Sequence, residues 1–183
     1  PQDPFSPYAR TKLAVEWMIR DFAHAYGLGF TLLRYFNAAG ADEGAKYGED
    51  HRPETHLIPL VLEVPLGKRQ KLMVLGNDYP TPDGTCIRDY VHTEDLAQAH
   101  LLAMEATTPT TAEVFNIGTQ EEVTVADLAR RVKALTGSTS AIELVEYEAI
   151  YGTRFEDMQR RVPALDKIRA LVGYEPRVSL DEL

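Results

Sequence analysis

The protein has 183 residues, a length that suits one domain, and its 44% hydrophobic and 26% charged residues describe an ordinary globular protein. A net charge of −9, without any run of lysines or arginines, excludes nucleic acid and anionic membranes as the main partners. Cys86 is the only cysteine, so no intrachain disulfide can form and we expect a cytoplasmic location. No apolar stretch has transmembrane length.

The first predicted element is a helix from Pro7 to Tyr26. Ser6 suits the N-cap, proline suits the first helical position, and Gly27 is a stop signal. Tyr8 and Lys12 are four residues apart and therefore lie on one face of this helix. A neighbouring ammonium favours the phenolate form of a tyrosine, so this pair can supply a general base and a donor to a ribose hydroxyl.

Strands and helices alternate along the rest of the chain. An apolar run at 29–35 predicts a buried strand of the parallel type. Further helices are predicted at 57–66, 93–106 with Thr93 as its cap, 124–136 and 166–172, and further strands at 72–75, 114–117 and 142–145. Long loops are predicted at 38–53 and 77–85. This order predicts an α/β fold in which the first part contributes to a parallel sheet and the remainder forms a smaller mixed lobe.

Three polar segments are candidates for ligand contacts. Asn37 follows the first strand, where an amide could donate to a phosphate; the alternative is an asparagine that stabilises a turn. Arg88 could pair with a diphosphate; the alternative is a surface ion pair with Asp89 or with a glutamate. Arg154 and Asp157 could contact a phosphate and ribose hydroxyls; the alternative is a solvated loop.

The histidines do not indicate a metal site. His51 and His56 are five residues apart in a loop, with no cysteine and no third ligand evident from the spacing, so we predict that no metal is bound.

The chain starts without methionine in a turn before a helix. It stops just after Ser179-Leu180-Asp181-Glu182, a capping box that predicts the start of another helix. We therefore expect a piece of a longer protein.

Five motifs together resemble the UDP-glucose 4-epimerase branch of the extended short-chain dehydrogenase/reductases. They are Pro7-Tyr8-x3-Lys12, Leu33-Arg34-Tyr35-Phe36-Asn37, Gly48-Glu49-Asp50, Thr55-His56-Leu57-Ile58-Pro59, and the long stretch from Leu75-Gly76-Asn77-Asp78-Tyr79-Pro80 to Arg88-Asp89-Tyr90-Val91-His92. The resemblance implies that residues 1–40 are the carboxyl-terminal remnant of an NAD-binding Rossmann domain. Residues 41–183 would then be mainly a UDP-sugar-binding lobe, with returns to the Rossmann sheet.

The resemblance also implies a reaction and the residues that perform it. The reaction is NAD-dependent 4-epimerisation of a UDP-hexose, UDP-glucose or UDP-galactose, through a 4-keto sugar. Tyr8 would be the catalytic base, Lys12 its partner at the nicotinamide ribose, and Tyr35 a neighbour of the nicotinamide. The nucleotide sugar would be contacted by Asn37, Leu57, Leu75, Arg88, Arg154 and Asp157. Leu75 occupies a position where relatives often stack a phenylalanine on uracil.

Two departures from the family pattern leave alternatives open. The glycine-rich dinucleotide loop and the serine or threonine that assists the tyrosine would both precede Pro1. The missing amino-terminal portion is therefore an expected partner, the isolated chain is expected to be inactive, and a homodimer is compatible with the resemblance. The tail from Glu146 looks more like other nucleotide-sugar enzymes of the superfamily. A decarboxylase, a 4,6-dehydratase and a non-catalytic binding fragment are thus the alternatives.

Overall fold

The computed structural model describes residues 2–4, 6–44, 46–146 and 158–183. Within these ranges the helices are α1 (Pro7–Tyr26), α2 (Leu57–Glu63), α3 (Thr93–Ala106), α4 (Val125–Leu135) and α5 (Asp166–Val172). The strands are β1 (Phe30–Tyr35), β2 (Asn37–Ala39), β3 (Leu72–Leu75), β4 (Ile87–Arg88), β5 (Tyr90–His92), β6 (Ala112–Ile117), β7 (Val123–Thr124), β8 (Ile142–Val145) and β9 (Arg160–Arg161). Among the described residues, no helix combines the length and apolar character needed to cross a lipid bilayer.

Local signals set both ends of α1, as predicted. The Ser6 side-chain oxygen accepts the Ala9 N–H, and proline occupies the first turn. Gly27 ends the helix with a φ of 65°, a left-handed conformation that glycine adopts without a Cβ clash. No side chain of this fully described helix is buried, and its apolar residues Val15, Trp17, Met18 and Phe22 are exposed. The apolar stripe of α1 is therefore not part of the core formed by the described chain.

Strand β1 pairs in parallel with β6, and a helix lies on each of its faces. The register runs from Phe30 opposite Ala112 to Tyr35 opposite Ile117. On one face, α1 places Arg20 over the Phe30 ring and Glu16 against Arg34. On the other face, Tyr35 lies near His100 of α3. This alternation follows from the two-residue period of a strand, which turns successive side chains to opposite faces.

The other strands are short and pair across long sequence distances. Parallel pairs join β2 to β5 and β3 to β8. The remaining three strands form a sheet in the order β7-β4-β9, with β7 antiparallel and β9 parallel to β4. The mixed α/β fold class is thus confirmed. The division of the chain at residue 40 stays a prediction.

The largest core cluster lies between β6, α3 and α5. Its buried members are Val91, Ala99, Ala103, Phe115, Ile117, Leu165, Ile168 and Tyr174. A second cluster packs α2 and β3 against α4, and it includes Val61, Val64, Leu72, Val74 and Ala129. Tyr174 is fully buried and donates its hydroxyl to the Gly118 carbonyl oxygen at 3.1 Å, which connects the segment after α5 to the end of β6.

Several predicted boundaries were wrong, each for a local reason. Helix α2 ends at Glu63 rather than residue 66, with a hydrogen-bonded turn after it. Thr93 is the first residue of α3; its cap is His92, whose Nδ1 accepts the Glu94 N–H at 3.2 Å. Thr124 is the cap of α4 and not its first residue. The capping box at 179–182 forms a single turn that is stabilised by Ser179 and Glu182.

We expect Tyr174→Phe to lower the free energy of unfolding by about 1–3 kcal/mol, because it leaves a buried carbonyl oxygen without its donor. Urea denaturation measures the difference. The matched control is Tyr47→Phe, which removes the same hydroxyl from an exposed side chain. A Tyr174→Phe variant as stable as the control would mean that the bond to Gly118 does not contribute to folding.

Candidate active site

Helix α1 places Tyr8 and Lys12 side by side on its surface. The Lys12 Nζ lies 5.1 Å from the centroid of the Tyr8 ring, within the range of a cation–π contact. Tyr8 is 71% exposed, and Lys12 is exposed as well. The phenol and the ammonium are therefore accessible to a ligand that approaches this side of the helix.

An ion pair holds the same helix against β1. Arg34 donates from Nε to Glu16 Oε1 at 2.6 Å and from Nη2 to Glu16 Oε2 at 2.5 Å, a bidentate arrangement. The hydrogen bond from Arg34 lowers the pKa of Glu16 below its ordinary value. This contact orients α1, and with it Tyr8, relative to the sheet.

Tyr35 and Asn37 lie where β1 ends and β2 begins. Tyr35 is partly exposed, and its ring centroid is 6.0 Å from that of His100. The Asn37 Nδ2 donates to the Asp89 carbonyl oxygen at 2.5 Å, and the Asn37 backbone N–H donates to the same oxygen at 3.3 Å. Asn37 is therefore the first residue of a strand, and its side chain bonds to the distant Asp89 rather than to a local turn. It uses one of the two amide N–H groups.

Arg88 is buried rather than exposed on the surface. It is 7% exposed, and its Nη1 donates to the carbonyl oxygens of Ile87 at 2.8 Å and Met158 at 2.7 Å. Strand β9 places Arg161 opposite Arg88 in register. The Arg161 guanidinium lies 5.2 Å from the centroid of the Phe36 ring. The structure thus gathers two arginines beside the turn that leads to Asn37.

Asp89 organises this region, a role that the sequence analysis missed. Its side chain is fully buried and accepts the N–H of Thr119 at 3.0 Å, the N–H of Gln120 at 2.5 Å and the Thr119 hydroxyl at 3.2 Å. Burial raises the pKa of the Asp89 carboxyl, and the N–H donors oppose that effect. A Cβ at Gly118 would come within 2.5 Å of Asp89 Oδ1, so this position requires glycine.

The remaining predicted substrate contacts are Leu57, Leu75, Arg154 and Asp157. Leu57 begins α2 and is partly buried against the second core cluster, and Leu75 ends β3. Arg154 and Asp157 lie outside the described residues. Two groups are brought together, Tyr8 with Lys12 and Asn37 with the Arg88–Asp89 segment. Within the described part of the chain, no hydrogen bond joins one group to the other. All of these site assignments stay predictions.

Comparison with known proteins identifies the family. Residues 1–118, more than half of the chain, match the sequence pattern of the NAD dependent epimerase/dehydratase family. The protein belongs to this family.

Three relatives show the extent of the similarity. The chain is 41% identical, over 97% of its own length and 52% of the relative, to a UDP-glucose 4-epimerase of Halalkalibacterium halodurans. A crystal structure of UDP-glucose 4-epimerase from Brucella ovis in complex with NAD has 39% identity and a TM-score of 0.85, over 99% of this chain and 55% of that one. The enzyme from Bifidobacterium longum, in complex with NAD⁺ and UDP, has 30% identity and a TM-score of 0.87, over 97% of this chain and 52% of that one. The chain therefore spans about half the length of the relatives it matches.

We expect Asp89→Asn to lower the free energy of unfolding by about 1–3 kcal/mol, because the amide would set an NH₂ donor against the N–H groups of Thr119 and Gln120. Urea denaturation is again the measurement. Asp78→Asn makes the same change at an exposed carboxylate and should stay within about 0.5 kcal/mol of the parent. Equal losses in both variants would contradict an organising role for Asp89.

Proposed function

We propose that this chain is part of an NAD-dependent UDP-hexose 4-epimerase. The observation that carries the proposal is the exposed Tyr8 with the Lys12 ammonium beside its ring. A phenol next to a positive charge can exchange a proton with a sugar hydroxyl. The 41% identity to a protein named as a UDP-glucose 4-epimerase supports the choice of this reaction.

The residues present fit a nicotinamide dinucleotide on the exposed side of α1. Lys12 has ammonium donors for the ribose hydroxyls, and nothing in α1 buries them. Tyr35 is partly exposed at the carboxyl end of β1, the edge at which open α/β sheets bind ligands. Bound NAD⁺ would accept hydride from the sugar C4 and return it to the opposite face.

Tyr8 would remove the proton from the sugar 4-hydroxyl and later return it. The Lys12 charge would stabilise the phenolate during this exchange. The resulting 4-keto sugar must turn over in the pocket before it is reduced. The enzyme therefore has to bind the nucleotide firmly and the hexose loosely, so that specificity for UDP exceeds specificity for the sugar.

Arg88 and Asn37 would bind the nucleotide end of the substrate. The carbonyl oxygens of Ile87 and Met158 hold the Arg88 guanidinium in a fixed position, which reduces the entropy lost on binding a diphosphate. Arg161, opposite Arg88, adds positive charge at the same place. The assignment of Arg154 and Asp157 to the same end rests on the family resemblance alone.

A neutral hexose fits this chain better than a uronic sugar. A sugar carboxylate near the reacting carbon needs a cation, since burying it unpaired costs several kcal/mol. Arg34 is the nearest candidate in the sequence motif, but its Nε and Nη2 groups bind the Glu16 carboxylate in a bidentate pair, so its charge already has a partner. We therefore favour UDP-glucose and UDP-galactose over UDP-glucuronate, which would place the protein in galactose metabolism and, given the single cysteine, in the cytoplasm. Dimerisation stays a prediction.

Incubation of the full-length protein with NAD and each of two substrates tests this choice. UDP-galactose should give UDP-glucose, and UDP-glucuronate should be recovered unchanged, with the products separated by chromatography. Carbon dioxide and UDP-xylose from UDP-glucuronate, without exchange between the glucose and galactose forms, would replace the proposal by the decarboxylase alternative.

In the full-length protein, Tyr8→Phe should lower turnover by roughly 10²–10⁴-fold, the usual loss when a general acid–base group is removed. Affinity for UDP should change little, because the ring remains and Tyr8 would not contact the nucleotide. Tyr26→Phe is the control, since it removes a hydroxyl from a similarly exposed tyrosine, 70% accessible, at the other end of α1. Near-normal turnover in Tyr8→Phe would assign the base to another residue.

A further inference from the structure

The loop between β2 and α2 gathers two imidazoles and two carboxylates. Glu49, His51, Glu54 and His56 each offer one ligand atom, and these four atoms all lie within 4.8 Å of one another. We refer to these residues as the His/Glu cluster. The sequence spacing of His51 and His56 revealed no third ligand. The folded loop brings two further ligands, Glu49 and Glu54, next to them.

The individual distances show how the cluster converges. His56 Nδ1 is 2.8 Å from Glu49 Oε1 and 3.0 Å from Glu54 Oε1. His51 Nδ1 is 3.7 Å from Glu54 Oε1, and the two imidazole centroids are 5.1 Å apart. Backbone N–H groups of Thr55 and His56 each donate to Glu54 Oε1 at 2.7 Å, which fixes this carboxylate in place.

The charges in the cluster are not balanced when the imidazoles are neutral. Two carboxylates then carry two negative charges and share one nitrogen, His56 Nδ1, that can donate a single hydrogen bond. Exposure weakens the repulsion between them but does not abolish it. A doubly charged cation at the centre would neutralise both carboxylates and use both imidazole nitrogens as ligands.

We propose that Glu49, His51, Glu54 and His56 bind a divalent transition-metal ion of the zinc and cobalt type. Two imidazole nitrogens and two carboxylate oxygens are a donor set that suits Zn²⁺, whereas Mg²⁺ and Ca²⁺ prefer oxygen alone. With ligand bonds of about 2.0–2.2 Å, tetrahedral coordination places neighbouring ligand atoms about 3.4 Å apart. Three of the separations, 2.8, 3.0 and 3.7 Å, are already near this value, and exposed side chains can close the remainder.

This site is distinct from the proposed epimerase chemistry. Leu57, an expected nucleotide-sugar contact, directly follows His56, so the ion would lie one residue from that contact. The inference does not depend on the epimerase assignment, because its test measures metal binding and not turnover.

The test is titration of the purified, chelator-treated protein with ZnCl₂ by calorimetry and with CoCl₂ by visible absorption. We expect one ion per chain at micromolar affinity, together with the intense absorption bands of tetrahedral cobalt. His51→Gln and Glu54→Gln should each weaken binding by at least about tenfold, which corresponds to about 1.4 kcal/mol. Glu54→Gln keeps an oxygen for the N–H groups of Thr55 and His56, so the turn should survive.

His24→Gln is the matched control, because His24 is exposed on α1 and lies outside the cluster. It should bind zinc like the parent. MgCl₂ should produce no comparable heat. Circular dichroism of each variant separates loss of ligand from loss of fold. Absence of stoichiometric binding by the parent, or equal weakening in His24→Gln and His51→Gln, would overturn the proposal and leave only the contacts between histidine and glutamate side chains.

Discussion

The buried carboxylate of Asp89 is the constraint on which the arrangement of the candidate site depends. A charge removed from water is costly unless it is hydrogen-bonded, and the donors come from Thr119 and Gln120, just after β6. The carbonyl oxygen of the same residue binds Asn37 at the start of β2. One residue therefore connects the start of β2 and the end of β6 to the β4–β5 segment. Any shift of that segment would move Arg88, its immediate neighbour.

The candidate site has two parts that differ in physical character. Tyr8 and Lys12 are exposed on a helix that is attached to the sheet through Arg34 and Glu16. Arg88 is buried and held by carbonyl oxygens. In the proposed reaction this difference is useful. The buried part would bind the invariant nucleotide with preorganised groups, and the exposed part would leave room for a sugar that has to turn over.

The His/Glu cluster differs from the Asp89 network in how its charges are satisfied. Asp89 is surrounded by N–H and O–H donors from the protein itself, so its ionised form needs no further partner. Glu49 and Glu54 instead converge on one imidazole nitrogen in an exposed loop. The first arrangement is typical of a structural connection between elements. The second is typical of a place where a soluble cation can bind and leave.

The sequence by itself determined the elements whose ends depend on neighbouring residues. Ser6, Pro7 and Gly27 define α1, and Gly173 ends α5, because capping and left-handed turns involve residues only a few positions apart. The Tyr8–Lys12 pair was predictable for the same reason, since helical geometry fixes the i to i+4 separation. The family motifs extended the prediction to reaction and cofactor, and the family itself is confirmed.

Only the tertiary structure decided which distant residues meet. Strands of two or three residues, such as β4 and β5, have no periodicity to reveal them and exist because of partners far along the chain. His92 rather than Thr93 caps α3, and the structure alone shows that its ring nitrogen accepts a helix N–H. Asp89 looked like a partner for Arg88, yet its donors lie some thirty residues away. Sequence spacing specifies contacts within a turn of helix, whereas contacts between elements depend on how the whole chain packs.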